Sequence, residues 1–168
     1  MTYYLLPPFG QINLDALNEE YRSEIEFNGK TITLDINFAK TNIEKSAMDT
    51  IKFFIENIDT FDRQNKVNIN SDFNDENGDT VKEYVTFHIE ELGDEFLEQI
   101  DITSDQTDKE QQFLKKLHLT RIGLYPDGKY DASNFAVFDY TVSKDLTDQL
   151  IVVNTDEKGN LDHLSWES

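Results

Sequence analysis

An α+β fold is what the order of hydrophobic periods along the chain predicts: an antiparallel sheet built from an N-terminal hairpin and a C-terminal meander, with the middle helices packed on one face. Three observations carry this. Residues 24–38, EIEFNGKTITLDINF, alternate apolar and polar side chains on both sides of an Asn-Gly pair. From Ala47 to Leu92 apolar residues recur at three- and four-residue steps. From Leu119 to Trp166 strand-like runs are separated by short turn sequences. Strands first, helices in the middle and strands last is a segregated pattern, unlike the regular alternation of a doubly wound sheet.

Each element follows from its residues. Tyr3–Leu6 reads as a short strand ended by Pro7 and Pro8. Ile25 and Phe27 alternate with charges, as do Ile32, Leu34, Ile36 and Phe38. Between the runs, Asn28-Gly29 suits the positive φ angles of a two-residue type I′ turn, so the two runs form a hairpin with one buried face. Ala47, Ile51, Phe54, Ile55, Ile58 and Phe61 mark the apolar face of a helix. Val81, Tyr84, Val85, His88 and Leu92 repeat the spacing, and Phe96, Leu97 and Ile100 continue it past a break near Gly93. A polar stretch, Thr103 to Asp108, precedes a short helix with Phe113, Leu114 and Leu117. Strands are expected at 119–125, 135–142, 150–154 and 161–166, with turns at Pro126-Asp127-Gly128 and at 156–160. The simplest arrangement is one domain over 1–168: strands at about 3–38, helices at about 43–117, and a meander at about 118–168.

A chain of 168 residues with 12 Phe and 7 Tyr has ample material for a core. Its charge is the unusual feature: 34 acidic against 15 basic side chains, a net −19. Such a surface repels phosphate backbones and anionic headgroups. Nucleic acid and membrane are therefore not expected partners; a basic protein is, with plain solubility as the competing explanation of the charge. Without cysteine there is no disulfide, thiolate nucleophile or zinc–thiolate site. The N-terminus, MTYYLLPPFG, lacks the basic start and apolar length of a signal peptide, and no stretch approaches a membrane span. A cytoplasmic location is expected.

Residues 71–83, SDFNDENGDTVKE, hold nine oxygen-bearing side chains. A calcium loop needs oxygen ligands at alternating positions, Gly at the sixth and Glu at the twelfth. Counting from Asp72 places ligands at Asp72, Asn74, Glu76 and Glu83, but Asn77 at the sixth position. Shifting by one puts Gly78 there and loses both ends to Phe73 and Tyr84. The stretch therefore reads as a wet connection between helices, with Asp79 or Thr80 as N-cap and Glu83 helping. No cofactor is expected.

Residues 71–112 contain fourteen acidic and two basic residues, most of the chain's excess charge. Glu90, Glu91, Asp94, Glu95, Glu98 and Asp101 form the densest part. A focused negative field accelerates encounter with a basic partner, although a solvated helix face has the same composition. His88, His118 and His163 are isolated, with no His-x-x-x-His spacing, and His88 falls on an apolar helix face. No Gly-x-Ser-x-Gly elbow, Gly-x-Gly-x-x-Gly loop or phosphate-binding P-loop is present. No catalytic residue is nominated. Trp166 reads as a packing residue that closes the last strand.

The segments EIEFNGKTITLDINF, FLKKLHLTRIGLYPDG, FAVFDYTV and LIVVNTDEKGNLDHLSWES, with the helices between them, resemble an uncharacterised bacterial family known as domain of unknown function number two thousand and four. The resemblance spans Phe9 to Ser168. It implies a small, soluble, single-domain bacterial protein with no assigned activity, and related families are linked with immunity proteins of bacterial toxin systems. It carries over no functional residue. The expected function is thus a non-enzymatic interaction module, of acidic immunity type, that binds a basic protein. The alternative is a small-molecule binder or hydrolase with a pocket between sheet and helices.

Overall fold

The turn at Asn28-Gly29 forms as its residues dictate: both have positive φ, 50° and 78°. It joins strands that pair in register from Glu20↔Asn37 to Phe27↔Lys30. The computed structural model describes residues 1–103 and 108–168. In chain order the elements are β1 (Tyr3–Leu6), β2 (Gly10–Asn13), β3 (Glu20–Phe27), β4 (Lys30–Asn37), α1 (Lys45–Glu56) and α2 (Ile58–Asn74). Next come α3 (Thr80–Thr86), a π-turn (Phe87–Glu91), α4 (Gly93–Gln99) and α5 (Lys109–Lys116). The chain closes with β5 (His118–Leu124), β6 (Ala136–Thr141), β7 (Leu150–Thr155) and β8 (Leu161–Glu167). Most of the polar stretch expected at 103–108 lies outside the described residues.

The α+β class and the C-terminal meander are as expected, with two differences in the sheet. First, β1 and β2 make a separate two-stranded sheet, and the remaining six strands follow in the order β3-β4-β5-β6-β7-β8. Second, β4 and β5 run parallel, Thr33↔Arg121 through Ile36↔Leu124, where a wholly antiparallel sheet was expected. The reason is the connection. After β4 the chain passes through all the helices before β5, and so long a crossover returns it to the end of the sheet where β4 began.

The sheet separates its side chains by parity. Leu34, Ile36, Ile122, Leu124, Ala136, Phe138, Tyr140, Ile151 and Val153 pair with one another across the strands and, with Ile32, join the core under the helices. Met48, Ile51 and Phe54 of α1 complete it, with the Phe54 ring 5.2 Å from Phe135 and 5.8 Å from Phe138. The apolar stripe on α1 is narrower than its spacing suggests, since Ala47 is exposed. On α2 the buried stripe includes two polar residues, Asp62 and Asn65. They meet the Tyr140 hydroxyl, which donates to Asp62 Oδ1 at 2.7 Å and accepts from Asn65 Nδ2 at 3.2 Å. Burial and the Asp62 carboxylate push the Tyr140 pKa well up, so this hydroxyl stays a donor.

His88, placed on an apolar face by its spacing, is fully buried. Its Nδ1 donates to the Tyr84 carbonyl at 2.8 Å, so Nε2 accepts from the Thr147 hydroxyl at 3.1 Å. Tyr84, Phe87, Phe96 and Phe113 surround the ring. Trp166 does close the last strand: its ring packs on Phe87 and Tyr84 and its Nε1 donates to Gln149 Oε1 at 2.7 Å.

Candidate functional site

The acidic segment 90–101 straddles the π-turn and α4. Gly93, at φ +74°, breaks the helix between them. In α4 the buried residues are Phe96 and Leu97. Helical geometry puts Asp94, Glu95 and Glu98 within about 100° of arc on the opposite side. Glu90, Glu91 and Asp101 are likewise exposed, so all six nominated carboxylates stand in water. Among the described residues, only Asp94 has an ion pair, with Lys109 Nζ at 3.6 Å. The segment is an acidic ridge in which Glu90, Glu91, Glu95 and Glu98 have no ion pair among the described residues, while Asp101 also borders a cleft that carries lysines.

The oxygen-rich stretch 71–83 has a different role. Asp72 Oδ2 accepts from the Val81 backbone N–H at 2.9 Å, so the cap of α3 comes from the end of α2. Asp79 occupies the N-cap position without a side-chain capping bond, and the expected help from Glu83 is not made either. Gly78 backs onto the same residue: a Cβ there would stand 2.3 Å from the Asp72 carbonyl oxygen. Asn74 Nδ2 donates to the Asn70 carbonyl at 2.8 Å, and Glu76 and Glu83 point to solvent. Among the described residues no group of three or more His, Asp or Glu side chains is placed to hold a metal.

On the sheet face away from the helices lies a polar cluster that sequence reasoning missed. Arg121 on β5 forks onto Asp35 on β4, Nε to Oδ2 at 2.8 Å and Nη2 to Oδ1 at 2.9 Å. Its Nη2 also donates to the Tyr125 hydroxyl at 3.0 Å, and Nη1 lies 3.4 Å from Asp139 Oδ2 on β6. Asn37 Nδ2 donates to Asp35 Oδ1 at 2.6 Å. Burial disfavours the Arg121 charge, but its bonds to Asp35 and Tyr125 outweigh that and raise its pKa. Burial raises the Asp139 pKa against the pull of Arg121. With the guanidinium of Arg121 bonded to Asp35, Asp139 and Tyr125, the cluster reads as a structural clamp across three strands.

Where the Asn28-Gly29 turn, α2, the ends of α4 and α5 and the start of β5 meet, an open cleft of about 480 Å³ is lined by Lys30, Lys66, Lys115, Lys116 and His118. His118 Nδ1 donates to the Lys116 carbonyl at 3.0 Å, which leaves Nε2 unengaged among the described residues. Burial, then the charges of Lys30, Lys144 and Lys66, lower the His118 pKa. His163, by contrast, is held by Asp162 at 2.6 Å and Asn154 at 3.2 Å. No helix among the described residues is long and apolar enough to cross a membrane. No family model, curated protein or solved structure matches the chain, so the resemblance drawn from its sequence gains no support from them.

Proposed function

We propose that the protein is a non-enzymatic interaction module that engages a basic protein through the acidic ridge at Glu90, Glu91, Asp94, Glu95, Glu98 and Asp101. The observation that carries this reading is the exposure of all six carboxylates, with one ion pair among them in the described residues. Uncompensated charge of one sign, projected from a short stretch, steers an oppositely charged surface and sets its register more than its final affinity. An acidic, immunity-type protein of the bacterial cytoplasm that occludes a basic toxin fits this description, as does the resemblance to domain of unknown function number two thousand and four.

The test is capture of partners from the cells of origin at low and at high salt, repeated with Glu90→Gln/Glu91→Gln/Glu95→Gln/Glu98→Gln. One stoichiometric basic protein, lost at high salt and associating at least about 10-fold more slowly with the variant, is the expected result. Association with the variant at the parental rate would overturn the electrostatic reading.

A further inference from the structure

We propose that the lysine-lined cleft beside His118 binds a small phosphorylated molecule. The inference does not depend on the acidic ridge. It begins from a contrast: in a chain with 34 acidic and 15 basic residues, four lysines line one cleft beside a histidine, and the charge of a fifth, Lys144, also acts on that ring. They come from separate segments: Lys30 from the hairpin turn, Lys66 from α2, Lys115 and Lys116 from the end of α5, and Lys144 from beyond β6. Among the described residues, Lys30, Lys115, Lys116 and Lys144 have no ion pair.

Two acidic residues also line the cleft, Asp62 and Asp101. Asp62 and Lys66 offset each other, with Nζ at 3.3 Å, and the Tyr140 hydroxyl also donates to Asp62. Asp101 leaves the balance positive. Lysines in the last turn of a helix offset its dipole, and that alone accounts for Lys115 and Lys116. It does not account for Lys30 or Lys144, which belong to other elements, whereas Lys66 is held by its pair with Asp62. Lysines crowded without counter-charges repel one another, and a dianion among them relieves that repulsion.

The class of ligand follows from charge and size. Lysine is a point-charge donor suited to phosphate, and Asn28 and Ser143 add neutral hydrogen-bonding groups. Phe27, Leu117 and Val142 give the cleft an apolar part for an organic body. The volume of about 480 Å³ matches a small metabolite. A nucleic acid is a poor fit, because its flanking phosphates would lie against the rest of a −19 surface. Within the Debye length of about 8 Å the lysines dominate; outside it the polyanion gains nothing.

The experiment is an NMR titration of the full chain with glycerol phosphate and with inorganic pyrophosphate, against sodium chloride at matched ionic strength. Saturable shifts at the cleft are expected with either phosphate and not with chloride. The His118 pKa should rise on binding, since the dianion offsets the lysine charges that hold it down. Lys30→Gln/Lys115→Gln/Lys116→Gln should weaken binding at least about 10-fold, close to one decade per 1.4 kcal/mol of lost contact. Non-saturating shifts, shifts that chloride reproduces, or an unchanged Kd in the folded variant would each overturn the proposal. Should that variant fail to fold, the His118 pKa of the parent with and without glycerol phosphate decides alone: no rise refutes the site.

Discussion

Arg121 lies across Gly123 so closely that a Cβ on the glycine would stand 2.5 Å from Nη2. The guanidinium cannot step aside cheaply, because it is forked onto Asp35 and bonded to Tyr125. Gly123→Ala is therefore expected to destabilise the fold by about 1–3 kcal/mol through overpacking. The sign is informative, because in a strand interior alanine is ordinarily better than glycine by about 0.5–1 kcal/mol. Urea unfolding of Gly123→Ala gives the cost. The same substitution in an Arg121→Gln/Asp35→Asn background should be neutral or stabilising. A penalty that persists there would assign the effect to the backbone instead.

Asp72 holds the start of α3 from the end of α2. Asp72→Ala should cost about 1 kcal/mol, and Tm should fall by about 2–4 °C. Asp72→Asn keeps an acceptor oxygen and should lose much less. A calcium site would behave otherwise: millimolar calcium would raise Tm and Asp72→Asn would abolish the rise. Calorimetry of the three proteins with and without calcium separates the two, and no calcium-dependent shift is expected.

These two relationships show which parts of the fold were legible in the sequence. The hairpin was, because Asn28-Gly29 and its alternating flanks are a local signal that local sterics enforce. The helix stripes and the meander were, because their periods are set by backbone geometry. The parallel junction of β4 with β5 was not, since it depends on where a long helical crossover delivers the chain. The Arg121–Asp35 fork joins residues 86 apart, and nothing in either neighbourhood announces it. The acidic ridge could be read because its residues are contiguous. The lysine cleft could not, because its residues come from separate segments. Adjacency assigns the cap of α3 to Asp79 or Thr80, and the structure supplies it from Asp72, a choice fixed by how closely Gly78 lets the loop approach.

The uncompensated ridge has a consequence for stability apart from any partner. Like charges crowded at Glu90, Glu91, Glu95 and Glu98 repel in the native state more than in an expanded chain, and salt screens that repulsion. Raising sodium chloride from low to physiological strength should lift Tm. The quadruple Glu→Gln variant should melt about 2–4 °C higher at low salt and respond less to salt. Melting curves at two ionic strengths check this. Equal salt responses of parent and variant would show that the ridge is not where the repulsion resides.

His88 gives the fold a pH dependence of definite sign. Burial lowers its pKa below the ordinary value of about 6.5, against the partly opposing bond to the Tyr84 carbonyl. Protonation would also place a donor at Nε2 facing the Thr147 hydroxyl, which now donates to it. Below about pH 6.5 the unfolded chain takes up a proton that the native state refuses. The native advantage is thus complete above that pH and declines as pH falls toward the lower native pKa, by up to about 1.4 kcal/mol per unit. His118 is shifted in the same direction and adds to the decline. Urea midpoints at pH 7.5 and 5.5 should therefore differ in the parent, differ less in His118→Gln, and differ less in His88→Gln than in the parent. Imidazole resonances of His88 that titrate at or above pH 6.5 in the folded protein would contradict the assignment. Titration below that value, together with a flattened pH response in His88→Gln, would place the acid sensitivity of the fold at this buried ring.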